Sequence, residues 1–192
     1  MSVQPRDSLQ RPAGPEDPAS GPPDSSDTLT GILNRASFDE RLAQEWNRAR
    51  REQTPLSLLL VDIDHFRAYV DTHVAAMGQD RLKKIAATLG RAVFRPADVV
   101  ARHGDDEFAI LLPAVHEIGA RVVAARVRML INALAMPHSG GEGGIVTVSI
   151  GVAALTPTAG VGPEVLVQLC KGALEQAKRM GRDNIVSQEW MA

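Results

Sequence analysis

The sequence predicts an α/β (α+β) fold: a mixed central sheet of five strands flanked by helices. Three observations predict it. Leu56-Ser57-Leu58-Leu59-Leu60-Val61 is a near-continuous apolar run, as expected of a central strand covered on both faces. Residues 98–101 and 108–112 are short apolar stretches joined by a polar tip, the pattern of a buried hairpin. Before, between and after them lie stretches with apolar residues at helical spacing.

The elements follow in order. Residues 1–26 hold six of the twelve prolines and almost no apolar residues, so they read as a disordered leader, with one domain at 27–192. In the segment after it Leu29, Ile32 and Leu33 can face one core, and Gly31 permits a sharp bend. Ser37 is the expected cap of a first helix through Phe38, Leu42, Trp46 and Ala49, with Glu40 completing a capping box. Pro55 ends that segment, and the apolar strand runs into Asp62-Ile63-Asp64. Along a strand residues two apart share a side, so two carboxylates are expected together at the strand end, a costly pairing unless they are paired or bind a cation. Residues 65–73 suggest a short helix. Gly78-Gln79-Asp80 leads into another, with Leu82, Ile85, Ala86, Leu89 and Val93 inward. After the hairpin, 117–134 reads as a helix with Val122, Val123, Val127, Leu130 and Ile131 inward. Residues 139–144 form a glycine-rich turn that lacks the lysine and spacing of a P-loop. A strand at 146–152, a helix at 163–180 ended by Gly181, and a short strand at 184–186 complete the chain.

Composition excludes several functions. With 192 residues, 44% of them apolar, the chain can bury a sizeable core. A formal charge of −2 and only 4% aromatics argue against a nucleic-acid surface or a base-stacking platform. The single cysteine, Cys170, sits in an apolar helical stretch, reads as core, and fits a reducing, cytoplasmic compartment. No apolar run approaches the length of a membrane span, so no membrane insertion is expected.

The chemistry concentrates at the hairpin tip, Ala101-Arg102-His103-Gly104-Asp105-Asp106-Glu107-Phe108, where three consecutive carboxylates repel one another. A tight turn joins the two strands, where Gly104 can take a positive φ and Asp105 tolerates one better than most residues. A bound cation would relieve the repulsion.

Four ordered motifs then carry a family resemblance. Asp27-x-Leu29-Thr30-Gly31-x-x-Asn34-Arg35-x-x-Phe38, Asp62-Ile63-Asp64-x-Phe66-Arg67, Gly104-Asp105-Asp106-Glu107-Phe108 and Ala177-Lys178-x-x-Gly181-Arg182-Asp183-Asn184 resemble the motifs of the GGDEF domain. That is the catalytic domain of diguanylate cyclases, which join two GTP into cyclic di-GMP and release two pyrophosphates. The resemblance covers residues 27–189 and implies a nucleotide-cyclase, polymerase-palm-like fold. It further implies Mg²⁺ or Mn²⁺ on Asp62, the Ile63 carbonyl and Asp106, with Asp106 or Glu107 helping to deprotonate the attacking hydroxyl. Arg67, in the family's usual lysine position, would contact phosphates with Lys178 and Arg182, next to Gly104 and Asp105. Arg95-Pro96-Ala97-Asp98 resembles the family's RxxD product-inhibition site, with Arg126 as its supporting arginine.

The sequence departs from the family where the base and phosphates should bind. Asp105 replaces the second glycine, Val70 an asparagine and Gln79 an aspartate, and Val74-Ala75 stands where Gly-His is usual. One charge about 5 Å from a phosphate oxygen, at an effective dielectric of about 20, costs roughly 3 kcal/mol before screening. Each unpaired guanine group costs about 1–3 kcal/mol. The expected protein is therefore a cyclic di-GMP signalling domain with a cation site, weak or lost cyclase activity, and cyclic di-GMP bound at Arg95 and Asp98. Two alternatives are an active cyclase under product inhibition, which needs a transient homodimer, and a non-catalytic module that recruits phosphodiesterases or PilZ-type proteins.

Overall fold

The computed structural model of the chain describes residues 25–72 and 75–189. The leader expected at 1–26, save its last two residues, and Val74 of the altered Gly-His position lie outside them.

Five strands form one sheet in the order β2-β3-β1-β4-β5: β1 (Leu56–Ile63), β2 (Val99–Arg102), β3 (Glu107–Pro113), β4 (Val148–Leu155) and β5 (Ile185–Glu189). β1 pairs antiparallel with β3, Asp62 opposite Glu107, and with β4, Asp62 opposite Ser149. β2 and β3 form the antiparallel hairpin, and β4 and β5 are parallel, so the sheet is mixed as expected.

Helices cover both faces, which is why β1 is apolar almost throughout. On one face α1 (Arg35–Glu52) and α5 (Glu164–Arg179) bury Phe38, Leu42, Trp46, Leu166, Cys170 and Leu174 against Leu56, Leu58 and Leu60. On the other, α3 (Ala75–Ala92) and α4 (Glu117–Asn132) bury Leu82, Ile85, Leu89, Val127 and Ile131 against Leu59, Val61 and Ile63. α2 (Phe66–Thr72) lies between β1 and α3. α5 approaches β4 closely: a Cβ at Gly151 would stand 2.3 Å from the Cys170 carbonyl oxygen. Cys170 is core, its thiol donating to the Leu58 and Gly151 carbonyls at 3.2 Å, and burial raises its pKa far above the ordinary thiol range.

Several boundaries differ from expectation. Asn34, not Ser37, caps α1: Asn34 is extended and its Oδ1 accepts from the Ser37 backbone N–H at 2.9 Å. Leu29 and Ile32 pack on the α3/α4 core but Leu33 on the α1/α5 core, because Gly31 turns the chain at φ 73° across the sheet edge. His65 precedes α2 with φ 56°. α3 begins at Ala75, not at Gly78, and Gly78 is buried inside it where a Cβ would lie 3.3 Å from Val70. α4 turns Ala120, Ala124, Val127 and Ile131 inward, which leaves Val122 on its outer side, 55% exposed. β4 starts two residues later than expected and runs to Leu155; β5 runs on to Glu189.

Candidate functional site

The hairpin tip is closed by backbone bonds. The N–H groups of His103 and Gly104 both donate to the Glu107 carbonyl, at 2.8 and 2.9 Å. Neither Gly104 nor Asp105 has a positive φ, because the turn spans the four residues between the strands and not a two-residue loop. Two arginines clamp it. Arg102 donates to the Gly104 and Asp105 carbonyls at 3.2 and 3.0 Å and to the Asp27 carboxylate; Arg35 donates to the His103 carbonyl at 3.2 Å. Asp27 in turn accepts from the Thr30 N–H and hydroxyl, at 2.8 and 2.6 Å. The opening motif therefore serves to fix the tip.

Below the tip, on the α1/α5 face, Asp62 and Glu107 stand side by side across β1 and β3. Lys178, at the end of α5, places its Nζ 2.9 Å from Asp62 Oδ2 and 3.5 Å from Glu175. Burial pushes the Asp62 carboxyl up to about 6; Lys178 opposes the shift, and Asp106 and Glu107 add to it by repulsion. Burial also raises Asp106, with Asp105 and Glu107 contributing and Lys178 opposing. Burial would lower Lys178, but its bond to Asp62 prevails and holds it above the ordinary lysine value. Burial would raise Glu107, but the His103 hydrogen bond and the charges of His103, Lys171 and Lys178 outweigh it and hold the carboxyl below its usual range. The backbone locks the two acidic segments together, the Ile63 N–H donating to the Asp106 carbonyl at 3.2 Å.

Asp62, Asp106 and Glu107 thus crowd negative charge around the Lys178 ammonium, with Lys171 a further positive charge acting on Glu107. Among the described residues no set of three His, Cys, Asp or Glu side chains forms a ready metal cage. Mg²⁺ does not require one, since it is commonly held by one or two carboxylates together with water and substrate phosphate. The donor set is hard oxygen, and its raised carboxyls are those a cation would ionise.

Asp64 does not join this group. β1 ends at Ile63, so the two-residue alternation stops there. Asp64, only 1% exposed, accepts from Ser149 Oγ at 2.6 Å, Thr147 Oγ1 at 2.8 Å and the Asp183 N–H at 3.0 Å. It is a structural carboxylate with its hydrogen bonds made. Asp183 belongs to the closing motif, where Gly181, Arg182 and Asp183 all have positive φ. Its carboxylate takes two bonds from Arg128, at 2.7 and 2.8 Å, and one from Asn132.

On the other side of the tip a cleft of about 400 Å³ is lined by Phe66, Arg67, Val70, Asp105 and Asp106. Of the expected phosphate set only Arg67 and Asp105 line it, with Asp106 beside them, while Gly104 and Lys178 do not; two of the departures, Val70 and Asp105, are in the wall. Gln79 is exposed on α3 and does not line the cleft. Arg182 follows α5 and does not line it either.

The RxxD corner is a turn. The Arg95 N–H donates to Asp98 Oδ2 at 3.2 Å, and the Asp98 N–H to the Arg95 carbonyl at 3.0 Å. The Arg95 guanidinium donates to the Pro113 carbonyl at 2.9 Å and lines a small cleft with Glu45 and Arg48. Arg126 does not line that cleft; it stacks over the neighbouring Phe94 ring at 4.3 Å and donates to the Ala92 carbonyl at 2.9 Å. Asp98 Oδ1 is buried and accepts no hydrogen bond.

Sequence reasoning missed His103. Its ring is buried, edge-on to Phe38 at 5.4 Å, and its Nδ1 bonds Glu107. It also missed Thr147 and Ser149, although two hydroxyls alternating within an apolar strand were a readable sign of a buried polar partner.

Comparison with known proteins shows the family of this fold. The family model for "Diguanylate cyclase, GGDEF domain" matches residues 24–184. The chain is 40% identical over 161 residues, 83% of its length, to the diguanylate cyclase DgcP of Pseudomonas aeruginosa. It spans 23% of DgcP's own length, and 35% of the length of two further curated relatives. Its fold matches the GGDEF domain of Caulobacter crescentus DgcB, solved with c-di-GMP, with a TM-score of 0.77 and 28% identity over 85% of this chain and 95% of that one. It also matches the diguanylate cyclase SiaD of Pseudomonas aeruginosa, solved with its activator SiaC, with a TM-score of 0.78 and 33% identity over 86% of this chain and 62% of that one. The chain belongs to the GGDEF domain family of diguanylate cyclases.

Proposed function

We propose that this domain serves cyclic di-GMP signalling with its cation site kept and its guanine cleft eroded, so that it turns GTP over slowly or not at all. One observation carries the reading: Val70 and Asp105 line the same cleft as Asp106 and Arg67. Valine offers a guanine edge no hydrogen bond. The Asp105 carboxylate repels the phosphates that Arg67 would draw in.

Asp62, the Ile63 carbonyl and Asp106 are the donors for Mg²⁺ or Mn²⁺, which would supply charge neutralisation on a triphosphate. The chain's own residues do the rest. Lys178 balances Asp62 when no cation is bound and is free to meet phosphate oxygens when one is. Arg67 reaches the cleft from α2, and Arg182 stands at the end of α5 for a further phosphate contact. Glu107, kept ionised by His103, is the available proton acceptor for a 3′-hydroxyl. Incubation with GTP and Mg²⁺ tests the reading. Little or no cyclic di-GMP is expected; robust product that vanishes in Asp106→Ala would overturn it and leave an active cyclase.

A second reading, cyclic di-GMP held at the Arg95–Asp98 turn, is favoured by the buried, unpaired Asp98 Oδ1. A guanine N–H would satisfy that oxygen, while Arg95 and Arg126 would leave their carbonyl partners to meet the phosphates. Calorimetry with cyclic di-GMP should show binding that Arg95→Ala weakens at least tenfold. Equal affinity would remove the site. An interaction role toward phosphodiesterases or PilZ-type proteins becomes the better reading if both experiments are negative.

A further inference from the structure

α4 has two apolar faces, and the fold uses one. Ala120, Ala124, Val127 and Ile131 are buried against the sheet. Ile118, Val122, Ala125 and Met129 face outward at intervals of four, three and four, the seam spacing of paired helices. Ile118, Val122 and Met129 are 77%, 55% and 61% exposed, and Phe94 beside them is 72% exposed. These are four of the six large apolar residues exposed among the described residues, gathered on one side of the molecule. Two clefts flank the stripe. One, of about 420 Å³, lies between α4 and β5 and includes Ile118, Val122 and Ile185; the other, of about 490 Å³, includes Phe94, Met129 and Leu134. Arg91, Arg121 and Arg126 line these clefts, against one acid, Glu117.

We propose that this stripe docks an amphipathic helix with acidic flanks from a partner protein. The spacing specifies a helix, the clefts on either side receive its side chains, and the three arginines select acidic flanks. A second copy of this chain fits poorly. Antiparallel pairing about the middle of the stripe sets Arg121 against the partner's Arg126, and parallel pairing sets like beside like. The leader fits poorly too, because residues 1–24 offer only Met1, Val3 and Leu9 as large apolar groups. An anionic membrane calls for clusters of about four to eight cations, and these clefts offer three, Arg91, Arg121 and Arg126. The stripe takes no part in the cation site or its cleft, so the proposal stands apart from GTP turnover.

The test uses the full chain and two labelled synthetic peptides of about eighteen residues, each helical with leucines at the seam positions. One carries glutamates on its flanks and the other lysines; binding is read by fluorescence anisotropy. The glutamate peptide should bind in the micromolar range, at least tenfold more tightly than the lysine peptide, and weaken as salt rises. Val122→Glu and, separately, Met129→Ser should each weaken it about tenfold without changing the melting temperature, since both side chains are exposed. Equal binding of the two peptides, or binding that neither variant alters, overturns the proposal. A concentration-dependent dimer that Val122→Glu dissolves would assign the stripe to a second copy. Co-sedimentation with phosphatidylserine vesicles that the same variant abolishes would assign it to a membrane. Both results overturn the proposal as well.

Discussion

Lys178 Nζ lies 2.9 Å from Asp62 Oδ2, and this contact joins the C-terminal end of α5 to the end of the central strand at the centre of the candidate cation site. An ammonium occupies the ground that a divalent cation would contest. Crowded carboxylates with Lys178 among them make a site whose stability depends on what it binds.

Asp106 carries a stability cost that a cation would relieve. In cation-free buffer its carboxyl is raised by burial and by its acidic neighbours. A raised carboxyl favours the fold while it is protonated, and that contribution is lost as pH rises through its folded value. Asp106→Asn removes the liability, so at pH 8 without divalent ions the variant should melt about 2–4 °C higher than the parent. The same variant should lose the stabilisation that millimolar Mn²⁺ gives the parent. Thermal scans with and without Mn²⁺ measure both effects.

Asp183 works in the opposite sense. Burial would raise its carboxyl, but the bonds from Arg128 and Asn132 prevail and hold it below the usual range. Its stabilisation is present above about pH 4, the ordinary carboxylate value, and is lost as pH falls through the lower folded value. Asp183→Asn should cost about 1–2 kcal/mol at pH 7, allowing for solvent screening at the half-exposed Arg128. The gap between variant and parent should close toward pH 3, as followed by urea unfolding across pH.

At Gly151 a methyl group has nowhere to go. A Cβ there would meet the Cys170 carbonyl oxygen at 2.3 Å and the Leu174 N–H at 2.5 Å, both backbone atoms of α5. Gly151→Ala should therefore destabilise by about 3 kcal/mol or more, as α5 is pushed off β4. Chemical denaturation measures the loss. Gly90, where a Cβ meets nothing within 4 Å, supplies the control: Gly90→Ala should be neutral or stabilising by up to about 1 kcal/mol.

His103 should be separable from the fold by its effect on cation binding. Its ring bonds Glu107 and packs on Phe38. His103→Phe keeps the packing and removes the bond, so Glu107 loses the partner that holds it ionised. Mn²⁺ affinity should then fall more steeply with falling pH in the variant than in the parent, as calorimetry at two pH values would show. An unchanged pH profile would make His103 a packing residue only.

Much of this architecture was legible in the chain. The run at 56–61 specifies a strand buried on both faces, and helices do cover both. The glycines at 31 and 181 mark turns that do have positive φ. What could not be read depends on long-range partners. Asp62 and Asp64 look equivalent in sequence; only the turn after Ile63 sends one to Lys178 and the other to Thr147 and Ser149. Val122 has the apolarity of a core residue and lies outside because the alanines at 120 and 124 set the phase of α4. His103 sits inside a recognisable motif, yet its tie to Glu107 depends on the turn that folds the tip back on itself.

Residues 70 and 105, and not the cation ligands, limit the chemistry we propose. Cyclic di-GMP formation from GTP and Mg²⁺ by the full chain, beside the double variant Val70→Asn/Asp105→Gly, tests this. At most trace product is expected from the parent and at least a hundredfold more from the double variant. Rapid turnover by the parent, or a double variant that remains silent while still binding Mn²⁺, would contradict it.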